Sequence, residues 1–398
     1  MAQKDRWLLP EGIEDLLPEQ AARLEKLRRA LLDTFSSWGY ELVIPSLVEY
    51  LDSLYVGAGN DLGLQTFKLI DQLTGRLMGL RADMTPQVAR IDNHRLKRDN
   101  PVRLCYYGAV LLTQMRELGG SRCPLQVGAE LFGHRGVESD IEILQLMIEA
   151  MKITGIERPY IDLGHVAIFR GLVRQAGLSE ELEKSLFDAL QRKAKPEIHA
   201  LLTQVKSGGF DQMFECLADL NGEGDVLLEA QKILSPACDE VHVALENLQN
   251  IASMLAQQEP QVTIHFDLAE LRGYRYHTDV VFSAYVPGFG QAVAQGGRYD
   301  DIGLEFGRAR AATGFSLDLR ALLAHVEVPS DASKMVYAPL HDDPQLKISI
   351  KKLRQQGYRV IGELPGQKGG AEALYCQYRL VNSNNDWVLQ EVEKSLHV

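Results

Sequence analysis

Between positions 24 and 35 the residues Leu24, Leu27, Leu31, Leu32 and Phe35 recur every three or four places. That spacing gathers them on one face of a helix, and it predicts an amphipathic helix over 15–38 that Gly39-Tyr40 closes. The stretch ELVIPSLVEY (41–50) is β-branched and interrupted by Pro45, the pattern of a short edge strand. LQTFKLI (64–70) and RLMGLRA (76–82) flank Asp71-Gln72-Leu73-Thr74-Gly75, a hairpin signature. A helix follows through 86–97, with Pro86 accommodated in its first turn. Residues 102–112 and 123–133 read as two antiparallel strands joined by the Gly-rich MRELGGSR, and 139–154 as another amphipathic helix.

From about 168 to 258 long helical periods dominate, which predicts an inserted helical subdomain. Strand patterns return at 262–268 (VTIHFDL) and 276–285 (YHTDVVFSAY), and the turn VPGFG leads into QAVAQGGRYD. A final core helix is expected to begin near Thr313-Gly314, and VEVPSDASK (326–334) reads as a linker. Residues 335–398 then alternate strand, helix and strand as a small α/β domain. The expected fold is α+β: a core over 1–325, an antiparallel sheet flanked by helices and interrupted by the 168–258 insertion, followed by the linker and the C-terminal domain.

Composition narrows the class of partner. A chain of 398 residues with 45% hydrophobic and 24% charged residues is ordinary globular material of two or three domains. A net charge of −12 argues against non-specific binding to nucleic acid, which needs a basic surface. The five cysteines (Cys105, Cys123, Cys216, Cys238, Cys376) form no CxxC pair, so reduced thiols are expected and neither disulfides nor zinc. With no leader-like or membrane-length apolar run, the expected location is the cytoplasm. GAGNDLG (57–63) misses the dinucleotide fingerprint and opens no helix after a strand, and neither HExxH nor G-x-S-x-G occurs. No metal and no cofactor are expected.

Polar residues set inside apolar strands carry the chemistry. Arg81, Asp83 and Thr85 close one strand, while Gln126 and Glu130 lie four apart on another and so share a face. Arg272 opens LRGYRYH, and QGGRYD carries Arg298 and Tyr299. Each alone reads as a structural ion pair or a surface charge, because buried charge is costly unless paired. Together, acids, amides and arginines on consecutive strands suit a ligand with a cationic and an anionic end, as a free amino acid has.

These segments, in order, resemble the histidyl-tRNA synthetase family, a class II aminoacyl-tRNA synthetase, over roughly residues 8–325. The resemblance rests on Pro45, LRADMT, YYGAVLL, QVGAELFG, LRGYRYHTDVVF and AQGGRYD. It implies a class II synthetase-like core and a histidine site made of Asp83, Thr85, Gln126, Glu130, Arg272, Tyr276, His277 and Tyr299. Asp83 stands in that set for a family glutamate, and His277 for the second tyrosine of a Tyr-Tyr pair. Gln126 and Glu130 match the readers of the imidazole and the ammonium, and Arg272 matches the arginine on the carboxylate.

The same resemblance implies a degenerate ATP side. The family's Phe-Arg-x-Glu falls on Leu111, Leu112, Thr113 and Gln114, and its Gly-Leu-Glu-Arg on Asp318, Leu319, Arg320 and Ala321. Leu112 and Ala321 replace phosphate-holding arginines, and Gln114 replaces the glutamate of the adenine end. Adenylation builds charge on phosphate oxygens that fixed cations must meet, so both losses point away from catalysis. This combination resembles the regulatory-subunit family of short-form ATP phosphoribosyltransferase. That family implies a non-catalytic chain partnered with a small catalytic subunit, needed for its activity in the first step of histidine biosynthesis. It also implies histidine as the feedback effector and a self-dimer through the core, with no nucleic acid and no membrane. A divergent histidyl-tRNA synthetase and a stand-alone histidine-binding paralogue are the alternatives.

Overall fold

The helix expected first forms over Pro18–Ser37, with Pro18 in its opening turn and Leu24, Leu27, Leu31 and Phe35 buried along one face. Gly39, at a φ of 84°, turns the chain out of it. Pro45 then divides the next stretch into β1 (Glu41–Val43) and β2 (Val48–Tyr50), which enter different sheets. The computed structural model describes residues 7–55, 63–115, 120–203, 210–271, 276–305, 307–323, 334–384 and 386–392. They divide into two units, residues 1–328 and 329–398.

In the first unit β3 (Lys68–Ile70) and β4 (Leu77–Leu80) form the expected hairpin and join β2 in the order β2-β4-β3. The main sheet adds β5 (Val102–Ala109), β6 (Leu125–Phe132), β7 (Tyr160–His165), β8 (Asn221–Gly222) and β9 (Thr263–Asp267). β10 (Val280–Val286), β11 (Phe289–Arg298) and β12 (Ala312–Asp318) complete nine strands, in the order β1-β5-β6-β12-β11-β10-β7-β9-β8. Within this sheet, among the described residues, only β1 with β5 and β7 with β9 run parallel.

Apolar clusters cover both faces of the sheet, and the polar residues of the site lie on the face of the smaller one, beside Leu104, Phe132 and Tyr299. On β6, Val127, Ala129 and Leu131 join the core beneath, where helix Val137–Ile153 contributes Leu144, Met147, Ile148 and Met151. Gln126, Gly128 and Glu130 alternate with them, so they face the other way.

Three expectations change. Residues 312–318 are a strand, not the start of a helix: β12 fills the gap between β6 and β11, and a short helix begins only at Leu319. Phe315 and Leu317 join the core and alternate with Gly314 and Ser316, a period of two that so short a run shows only faintly. The strand expected over 102–112 leaves the ladder at Ala109, and Leu112 makes only an isolated bridge to Thr66. Helices fill most of 166–258 within the first unit, where Leu172, Leu186, Leu248 and Ile251 share one core with Leu27 and Met147. The helix expected over 86–97 is α-helical over Thr85–Arg90 and continues as a π-helix over Ile91–Leu96.

The second unit holds β13 (Met335–Ala338), β14 (Arg359–Gly362), β15 (Tyr378–Ser383) and β16 (Asp386–Glu391), ordered β14-β13-β15-β16. Helix Pro344–Gln355 starts on an Asp343 cap and packs Leu346 and Leu353 against Val336, Val360 and Leu380. Except for Lys334, the linker read at 326–334 lies outside the described residues. Among the described residues no helix is long and apolar enough to cross a membrane, and no group of His, Cys, Asp and Glu could hold a metal ion.

Candidate functional site

The antiparallel register builds the site on the polar face of β6. Opposite Glu130 on β12 stands Gly314, opposite Gly128 on β5 stands Tyr106, and opposite Gln126 stands Gly108. The glycines make room: a Cβ on Gly314 would run into the Glu130 carboxylate, and one on Gly128 would lie 2.5 Å from the Tyr106 hydroxyl.

The turn 81–85 delivers Asp83 and Thr85. Arg81 anchors it, donating from Nε to the Ala109 carbonyl and from Nη1 to the Pro45 carbonyl, each at 2.8 Å. Asp83 accepts from the Met84 backbone N–H at 2.7 Å and from the Gln126 amide at 2.9 Å. The Gln126 carbonyl accepts in turn from the Met84 N–H at 3.2 Å, which fixes the orientation of its amide.

Glu130, 1% exposed, accepts on Oε1 from Thr85 Oγ1 at 2.9 Å and from the Tyr106 hydroxyl at 3.0 Å. Its Oε2 accepts from the Tyr299 hydroxyl. Burial pushes the carboxyl up to about 8, against the pull of the three hydroxyls and with a small push from Asp83. Tyr276 stacks on Tyr299 with ring centres 4.9 Å apart, and His277 meets Tyr276 edge-on at 5.2 Å. Burial, and then the charge of Arg170, hold the His277 imidazole down to about 3, so the ring is neutral.

The structure thus brings together Asp83, Thr85, Gln126, Glu130, Tyr276, His277 and Tyr299, seven of the eight residues singled out in the sequence. The eighth, Arg272, lies outside the described residues. Tyr106 was missed. Its signal was cross-strand: a tyrosine placed opposite Gly128, where the missing side chain leaves space for the ring. Two other arginines of the candidate cluster have structural partners. Arg81 holds the turn, and Arg298 points to the opposite face, where it binds Asp140 Oδ2 at 2.9 Å and Ser139 Oγ at 2.8 Å.

The positions expected on the ATP side are bonded to the chain's own backbone. Leu112 is fully buried, its N–H donates to the Arg122 carbonyl at 2.8 Å, and its own carbonyl accepts Arg122 Nε at 3.0 Å. Gln114 is exposed. Arg320, which precedes Ala321, donates to the backbone carbonyls of Cys123 and Glu14. The site can therefore receive a cationic or proton-donating group between two carboxylates and an amide, beside an aromatic wall.

The histidyl-tRNA synthetase family matches residues 12–322, and the ATP phosphoribosyltransferase subunit HisZ C-terminal domain matches residues 333–390. An ATP phosphoribosyltransferase regulatory subunit from Alkalilimnicola ehrlichii is 54% identical over 97% of this chain and 98% of its own. One from Methylococcus capsulatus is 53% identical over 96% and 95%. The solved ATP phosphoribosyltransferase regulatory subunit/histidyl-tRNA synthetase from Bacillus halodurans C superposes with a TM-score of 0.82 at 26% identity, covering 93% of this chain and 96% of that one. Histidyl-tRNA synthetase from Nostoc sp. PCC 7120, at 19% identity over 95% and 91% with a TM-score of 0.76, shares the fold. A class II synthetase-like core that carries this C-terminal domain, with relatives alike over nearly their whole length, places the chain in the family of ATP phosphoribosyltransferase regulatory subunits.

Proposed function

We propose that this chain senses histidine for its phosphoribosyltransferase complex, binding it in the Glu130 pocket and relaying occupancy to a small catalytic subunit. The observation that carries the reading is a contrast between the two sets of residues. Asp83, Gln126, Glu130 and Tyr299 form a connected polar cluster, whereas apolar Leu112 is fully buried and bonded to Arg122. Asp83 and Glu130 suit the ammonium, the Gln126 amide suits an imidazole nitrogen, and Arg272 suits the carboxylate. Leucine at 112 and alanine at 321 offer no guanidinium to a transferring phosphate, which supports a chain that binds histidine and does not adenylate it.

Effector action requires that occupancy be coupled to a second site, and assembly with a catalytic subunit supplies that site. Self-association is proposed through the region of Pro45, where Leu42, Ile44 and Leu47 are exposed beside the edge strand β1. The setting proposed is the cytoplasm.

Two measurements test this. Calorimetric titration with histidine is expected to show saturable binding that Glu130→Ala abolishes. ATP–pyrophosphate exchange in the presence of histidine is expected to be absent; exchange by the purified chain alone would return the reading to a working synthetase. A chain that co-purifies with no short phosphoribosyltransferase would instead be a stand-alone histidine binder.

A further inference from the structure

Glu130 is enclosed in an unusual way. Its donors are three hydroxyls from three separate elements: Thr85 after the 81–85 turn, Tyr106 on β5 and Tyr299 just after β11. On β12 the opposing residue is Gly314, which contributes no side chain. The remaining titratable groups that face it are Asp83, itself acidic, and the Tyr276 phenol stacked on Tyr299. Among the described residues no lysine or arginine bonds it, and Arg272 lies on the segment outside them. Hydroxyls differ from guanidinium groups in one decisive respect: each can donate to a carboxylate or accept from a carboxyl. A cage of hydroxyls therefore suits both protonation states, whereas a guanidinium would fix the ionised one.

We propose that the cationic group of the ligand enters in exchange for a proton held by Glu130, and that Tyr106 is a positioning residue that sets where on the pH scale this exchange occurs. The inference rests on the reading of this pocket as the histidine site. In the empty site the carboxyl is protonated and its O–H donates to one of the cage oxygens. When the ammonium arrives, the proton leaves to solvent, and the three hydroxyls and the ligand's N–H groups all turn toward the carboxylate. Charge is conserved in the pocket at each stage, since one positive charge enters as one leaves. The value of about 8 to which burial raises Glu130 agrees with an empty site that is protonated near neutrality. His277 does not compete for this role, because its neutral ring titrates far lower.

The coupling gives the site a property that a fixed carboxylate lacks: its affinity for histidine follows pH. The window between pH 6.5 and 8 isolates Glu130, because the free ligand's imidazole is mostly neutral there and its ammonium mostly charged.

Calorimetric titration of the full chain with histidine, at one pH near 7 in two buffers of different ionisation enthalpy, counts the protons. Release of about one proton per histidine is expected, with affinity rising up to about tenfold per pH unit toward 8. Tyr106→Phe removes one donor from the ionised carboxylate. Its affinity is expected to fall several-fold near pH 7 and to recover by pH 9, whereas a merely structural role would lower it equally at every pH. Wild-type binding without proton release and with a flat pH profile overturns the exchange but leaves the histidine site intact. No saturable binding by the wild type at any pH overturns the site reading itself. If Tyr106→Phe does not fold, the wild-type proton count still decides the exchange, and Thr85→Val offers the same displacement of the profile from another side of the cage. A profile unmoved in a folded Tyr106→Phe removes Tyr106 from the role.

Discussion

Arg298 and Glu130 are both buried ionisable groups on one sheet, 3% and 1% exposed, and they face opposite ways. Arg298 points to the helices, where Asp140 pairs with it and Ser139, the His134 carbonyl and the Gly136 carbonyl take its remaining donors. Glu130 points to the other face and among the described residues meets only hydroxyls and no cation. One group is paired with an opposite charge, and the other is held by groups that carry none. A buried group whose counter-charge is missing marks a site better than burial or charge alone does.

The comparison is broken hardest on the Arg298 side. Arg298→Ala leaves the Asp140 carboxylate buried with no cation, and removal of one partner from such a pair costs about 3–5 kcal/mol. A chemical-denaturation midpoint lowered to match is expected; a loss below about 1 kcal/mol would mean that the carbonyl contacts and not the pair carry the joint. Truncating the half-buried surface residue Glu25 beside Arg28 and Arg29 provides the contrast, since surface pairs contribute little.

Gly314→Ala acts on the other member. The added methyl would fall on the Glu130 carboxylate, which Tyr299 and the Thr85–Tyr106 pair hold on either side. The overlap is relieved only by moving Glu130, at a cost of about 1–3 kcal/mol in stability. A loss of histidine affinity of at least tenfold by calorimetry is expected in a protein that still folds. Affinity unchanged in folded Gly314→Ala would show that Glu130 needs no fixed position.

Much of the pocket was legible because sequence period reports directly on which face a strand residue occupies. Gln126 and Glu130 alternate with Val127, Ala129 and Leu131, and that alternation survives intact in β6. What escaped were relations between strands. Nothing local ties Tyr106 to Glu130, 24 residues away, or Gly314 to the same carboxylate. A helix is expected to begin within β12 for a related reason: in ATGFSLD only Phe315 and Leu317 mark the core face, and the small residues around them leave the period of two faint. Arg298 looked like a site residue for want of the same information: the partner that neutralises it sits on a helix 158 residues earlier.

The smallest expected effect reads Glu130 through stability in the absence of any ligand. A carboxyl raised from 4.5 to about 8 in the folded chain binds its proton more tightly there than in the unfolded chain. The stability this confers is complete below about pH 4.5 and is lost as pH rises toward 8. The buried rings of His165 and His277 act in the opposite sense, because both are lowered from 6.5 to about 3. Their contribution is complete above pH 6.5 and is lost as pH falls toward 3. Between pH 6.5 and 8 the unfolded-state histidines still lose their remaining protons, which raises stability slightly, so wild type is expected to lose about 1 kcal/mol per pH unit relative to Glu130→Gln over that window. Glu130→Gln removes the titrating carboxyl while keeping the shape of the side chain, and its own stability is expected to hold or rise slightly across the same window. Urea midpoints of both proteins at half-unit steps of pH make the test. Parallel slopes would mean that Glu130 is already ionised in the empty site, and the contrast with Arg298 would then reduce to two charges solved in the same way.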